Sequence, residues 1–236
     1  MSMRGGAGGP RLLVCIYSCA AHAPLLPRFY ASPVGRWIAA RPGTRVLEVV
    51  ASLDVAESRI DGPVLTVRAE ERYERLSLKT QAMVEHCVAT QDFDALLKID
   101  VTTVLDVLDG PEFAGRAPID PLALLAFAEA ADPCADYAGL LLHAGAGREG
   151  AEGWAKKKGG TIDYGRLFGD GPMPPFYSGK CYLLGRRFAE FVAARGAPLA
   201  QEHAAYFLGA EDLMIGRLHA LYVADPAAVQ TESVDG

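Results

Sequence analysis

Compact apolar runs and helical periodicities alternate along the first hundred residues. "RLLVCIYS" (11–18) is an apolar run containing Val14 and Ile16, the pattern of a buried strand. "TRVLEVVA" (44–51), "PVLTVRA" (63–69) and "ALLKID" (95–100) are three more. Between the third and fourth, "ERLSLKTQAMVEHCVAT" carries Leu76, Met83 and Cys87 at helical spacing, an amphipathic helix. A helix around Pro33 to Ala40 links the first two strands. Strand, helix, strand, strand, helix, strand predicts an α/β sheet with a largely parallel core. In such sheets ligands bind beyond the carboxyl ends of the strands, where Ser18 and Asp100 stand.

The second half predicts a helix over 121–131 and a buried strand in "YAGLLLHA" (137–144). "GREGAEGWAKKKGG" (147–160), rich in glycine and charge, reads as a mobile surface loop. "CYLLGRRFAEFVAARG" predicts a short strand running into a helix that Gly196 ends, and "EDLMIGRLHALYV" a last helix with Glu211 and Asp212 in its first turn. Residues 1–10 and 226–236 read as flexible ends. There is no internal repeat and no long linker, so residues 11–225 are expected to form a single domain.

Composition narrows the function classes. Half of the 236 residues are hydrophobic, enough for a sizeable core. A formal charge of −6 argues against nucleic-acid binding, which needs a basic face. The five cysteines, Cys15, Cys19, Cys87, Cys134 and Cys181, are odd in number and form no CxxC pair. They predict free thiols, a reducing compartment and a cytoplasmic location. The start, "MSMRGGAGGP", lacks the apolar core of a signal peptide, and "LLVCI" is too short to span a membrane. Richness in Ala, Gly and Arg suggests a bacterial genome.

No GxGxxG, P-loop, GxSxG, HExxH or zinc-finger spacing is present, and the five histidines show no metal-ligand spacing. Four stretches carry possible chemistry. Asp100 ends an apolar run and is followed by Thr102 and Thr103; it is either a turn residue or a ligand at a strand end. Lys79 is either a solvated helix lysine or a cation aimed at a phosphate. "PPFYSGKCYLL" (174–184) sets Phe176 and Tyr177 beside Ser178 and Gly179, either a Pro-Gly loop over tucked aromatics or a site where backbone and rings approach a ligand. Glu211 and Asp212 either complement a helix dipole or supply a general base.

Taken in order, these blocks resemble the β-1,3-galactosyltransferase-like glycosyltransferase family, which includes galactosyl-, N-acetylglucosaminyl- and Fringe-type enzymes. The residues that carry the resemblance are "LLVCIYS", "YERLSLKT" (73–80), "KIDVTTV" (98–104), Trp154 with "PPFYSGKCYLL", and "EDLMIG" (211–216). They span residues 11–220. The resemblance implies a GT-A-like nucleotide-binding mixed sheet flanked by helices, with a nucleotide-binding half (11–110) and an acceptor-binding half (111–225). It implies inverting transfer of a hexose, of galactose or N-acetylhexosamine type, from a UDP-sugar to a glycan or small acceptor. Asp212 would be the base with Glu211 beside it. Ser18, Lys79, Asp100, Thr102, Tyr177, Ser178 and Gly179 would bind the donor. The family's triple acid, which holds a divalent cation (Mn²⁺ or Mg²⁺), is reduced here to Asp100, Val101 and Thr102. Asp100 is therefore the one candidate metal ligand, and the diphosphate charge would fall to a weakly held cation or to Lys79, Arg148 or Lys156 to Lys158. The same fold without catalysis, a silent nucleotide- or sugar-binding protein, is the alternative.

Overall fold

The computed structural model describes residues 11–103, 121–130, 135–140, 142–143, 145, 147–157, 160–207 and 210–224. Both chain ends, the boundary near residue 110, Cys134 and Lys158 lie outside the described residues.

A seven-stranded mixed sheet organises the fold, in the order β3-β4-β2-β1-β5-β9-β6. Its centre is parallel: β1 (Leu12–Tyr17) lies between β2 (Thr44–Ala51) and β5 (Ala95–Asp100), and β4 (Val64–Val67) adds to β2. The antiparallel strands are β3 (Arg59–Asp61) on one edge, and β9 (Cys181–Gly185) with β6 (Tyr137–Gly139) on the other. All four strands expected in the first half form, and β3 is an addition that folds back through Gly62, whose φ is 57°.

The apolar runs have no polar alternation because both faces of the sheet are covered. Leu13, Cys15 and Tyr17 pack with α3 (Leu76–Thr90), α7 (Arg186–Tyr206) and α8 (Glu211–Ala224). Leu12, Val14 and Ile16 pack on the opposite face with α1 (Leu26–Ala31), α2 (Pro33–Ala40) and α4 (Pro121–Ala130). Ser32 caps α2 by accepting from the Gly35 amide at 3.1 Å. The four described cysteines, Cys15, Cys19, Cys87 and Cys181, are free thiols.

Three expectations are corrected. The stretch 147–160 is not a loop: α5 runs Arg148–Lys157. Its glycines obscure a buried stripe of Ala151 and Ala155, one turn apart, and Ala151 with Trp154 joins a small cluster that includes Tyr164 and Leu167 of α6 (Tyr164–Phe168). Arg148 and Glu152 add an i,i+4 pair. The apolar stretch 137–144 is not one buried strand. It divides into β6 and a short β7 (Leu142–His143), which pairs with β8 (Phe176–Tyr177) in a separate two-stranded sheet and exposes Leu142. Gly196 does not end its helix, since α7 continues past Pro198 to Tyr206. A Cβ at Gly196 would strike the Gln81 side chain of α3, so this glycine serves close helix–helix approach.

Candidate functional site

The carboxyl ends of β1 and β5 lie side by side, with Tyr17 opposite Asp100. Beyond them opens a cleft of about 520 Å³. Asp100, Ser178, Gly179, Lys180, Glu211 and Asp212 are among its polar lining residues, with Tyr73 and His143, and Trp154, Met173, Phe176 and Phe207 are among its apolar walls. Sequence segments more than a hundred residues apart therefore meet here.

Gly179 is the junction. Its amide donates to Asp212 Oδ2 at 3.0 Å, and its carbonyl accepts from Lys98 Nζ. A Cβ at this position would collide with the Glu211 carboxylate. Gly216 makes a similar approach possible one turn on, where α8 comes against Pro175 and Phe176. The two glycines bring the first turn of α8 onto the 176–180 segment. Gly179→Ala is accordingly expected to lower stability by about 1–3 kcal/mol, the usual cost of overpacking, in thermal melts. Ser178→Ala, which loses one long contact from the Lys180 amide (3.4 Å), should melt like the parent protein.

Lys98 lies beneath Gly179, and its role was not foreseen. Its side chain is 2% exposed. Nζ donates to Asp100 Oδ1 at 2.7 Å and to Glu211 Oε1 at 3.0 Å, and lies 4.5 Å from the centre of the Tyr17 ring. Burial alone would depress this ammonium, but Asp100, Glu211 and Tyr17 outweigh it and hold its pKa above the ordinary lysine range. The signal was present in "ALLKID", since a lysine inside an apolar strand must find a counter-charge.

Asp212 differs from its neighbours. Loss of hydration, then the negative charge of Glu211, push its carboxyl up to about 7. The amides of Gly179 and Leu213, which donate to its two oxygens, and Lys98 act the other way. A carboxylate in a cleft with a pKa near neutrality suits a general base.

The remaining expected residues are distributed unevenly. Asp100, Ser178, Gly179, Glu211 and Asp212 line the cleft; Ser18, Lys79, Thr102 and Tyr177 are not among its lining residues. Tyr177 meets Tyr137 edge-on, with centroids 5.0 Å apart, and packs on the main core, while its strand neighbour Phe176 faces the cleft and stacks on His143. Successive strand residues point to opposite sides, so only one of the two rings reaches the ligand side. Lys79 is buried, its Nζ donating to the Ser18 carbonyl at 2.7 Å and to both oxygens of Glu71 at 2.8 and 2.9 Å. Thr103 donates its hydroxyl to the Lys180 carbonyl at 2.9 Å. Arg148 and Lys156 sit on the exposed side of α5.

Asp100 brings one carboxylate, and Lys98 already occupies one of its oxygens. Hard divalent cations take six or more oxygens, and no group of three His, Cys, Asp or Glu side chains converges among the described residues. With one oxygen of Asp100 taken by Lys98, the described residues fit such a cation poorly.

No described helix is long and apolar enough to cross a membrane. No family model matches the chain, and no curated protein matches it.

Proposed function

We propose that this chain is an inverting glycosyltransferase of GT-A type, moving a hexose from a UDP-sugar to an acceptor hydroxyl, with Asp212 as the base. One observation carries the reading. The three motif segments "KIDVTTV", "PPFYSGK" and "EDLMIG" meet around Gly179 at the carboxyl end of a parallel sheet. A base of suitable pKa opens there into a cleft with aromatic walls.

The chemistry asks little covalent work of the protein. Asp212 accepts the proton of the acceptor hydroxyl while that oxygen bonds to the anomeric carbon from the face opposite the diphosphate. The bond from that carbon to the diphosphate oxygen breaks, and its electron pair leaves with UDP. Inversion follows from the single displacement, as in inverting glycosidases. Glu211, held by Lys98, raises the basicity of Asp212 by like-charge proximity. The aromatic walls exclude water and offer apolar faces to a sugar ring.

The pairing of Asp100 with Lys98 favours the second reading, a silent nucleotide- or sugar-binding protein, because it leaves the donor diphosphate with fewer free ligands. The transferase and the nucleotide-binding form of the second reading both require nucleotide binding to the folded state. Thermal unfolding with UDP, with and without Mn²⁺, tests them together. The midpoint is expected to rise, by an amount equivalent to about 2.7 kcal/mol at one hundred times Kd. An unchanged midpoint with every nucleoside diphosphate tried would remove the transferase and the nucleotide-binding form of the second reading, and a shift with free hexose alone would leave its sugar-binding form.

A further inference from the structure

The cleft floor carries three carboxylates, Asp100, Glu211 and Asp212, against one internal ammonium, Lys98. A diphosphate entering here meets net negative charge, so a cation must come from somewhere. Among the described residues, none of the expected sources Lys79, Arg148, Lys156 and Lys157 lines the cleft. Lys98 and Lys79 are buried and engaged by carboxylates, and Arg148 pairs with Glu152 on an exposed helix face. Lys180 is different. It is the cationic residue among those lining the cleft, it is half-buried, and its ammonium has no ion-pair or hydrogen-bond partner among the described residues.

Its position is also fixed. The Lys180 carbonyl accepts from the Asp100 amide at 3.0 Å and from the Thr103 hydroxyl at 2.9 Å. These bonds extend the β5–β9 ladder by one step and hold Lys180 beside Asp100, at the strand ends where phosphate groups of a ligand belong in such sheets. A flexible four-carbon stem on an anchored backbone suits capture of a phosphate by a point charge.

Resting on the transferase reading above, we propose that Lys180 is the cation that meets the donor's diphosphate, standing where the missing carboxylates would otherwise have held a metal. It binds the phosphate oxygens in the ground state and neutralises the charge that grows on the leaving group as the sugar–oxygen bond breaks.

Calorimetric titration of UDP and of uridine onto the parent protein, Lys180→Ala and Lys180→Arg tests this. Lys180→Ala should bind UDP roughly 10- to 100-fold more weakly, the value of one charge-assisted hydrogen bond. Lys180→Arg should restore most of the loss, and uridine should bind all three proteins alike. Thermal melting of the unliganded proteins should coincide, because the ammonium has no ion-pair or hydrogen-bond partner among the described residues. Equal UDP affinity in Lys180→Ala and the parent overturns the assignment and leaves the transferase reading standing. So does an equal loss for uridine, which would mark a damaged pocket. No binding of UDP to the parent protein ends both.

Discussion

Lys98→Met is expected to lower the free energy of unfolding by about 3–5 kcal/mol, the usual cost of removing one partner from a buried ion pair. Glu211 has a side chain only 8% exposed, and Lys98 is its counter-charge. Without the ammonium, the Glu211 carboxylate loses its counter-charge in a poorly hydrated site, which costs stability. Asp100 is more exposed, at 35%, and loses less. The Gly179 carbonyl also loses a donor, which loosens the junction between the 176–180 segment and α8. Adding Glu211→Gln should recover much of the loss, because it removes the orphaned charge. Urea unfolding of the parent, the two single variants and the double variant checks this at pH 7.5. A loss below about 1 kcal/mol in Lys98→Met, the range of surface pairs, would show that the ammonium is not the electrostatic support of the site.

Asp212→Asn is expected to reduce turnover by about 10²- to 10⁴-fold, the contribution of a positioned general base. UDP binding should survive, since an amide oxygen still accepts from Gly179. The parent protein should show a pH limb that rises through about 7, as Asp212 loses its proton and becomes able to take one from the acceptor. The stability effect has the opposite sign. The folded state holds this proton at pH values where the unfolded chain has released it, so Asp212 makes the fold less stable as pH rises from about 4 to about 7. That part of the pH slope should vanish in Asp212→Asn. Turnover equal to that of the parent would place the base elsewhere, with Glu211 next to be tested.

Much of the fold could be read from pattern. Runs such as "RLLVCIYS" and "ALLKID" are apolar at every step because helices cover both faces of the sheet, and that burial overrides alternation. The errors fell where tertiary packing decides. Glycines in "GREGAEGWAKKKGG" weigh against helix, yet packing of Ala151 and Trp154 in one cluster with α6 outweighs them. Gly196 looks like a stop signal and instead marks contact with α3. The placement of Asp100, Ser178, Gly179, Glu211 and Asp212 on one cleft was legible because each belongs to a motif block. The partnership of Lys98 with Glu211 spans 113 residues, and no local pattern encodes it. The choice between Phe176 and Tyr177 as the ring on the ligand side depended on strand phase, which two residues are too few to reveal.

Lys98 binds Asp100 and Glu211 directly from within the core. The internal ammonium keeps the acids in place and leaves Asp212 the least compensated of the three.

Release of UDP from UDP-galactose, UDP-glucose and UDP-N-acetylglucosamine, with water in the acceptor's place, tests the central claim most directly. The parent protein is predicted to release UDP from at least one donor, faster as pH rises through about 7, and Asp212→Asn to release almost none. Release at the same rate from both proteins, or from neither with any donor, would contradict it.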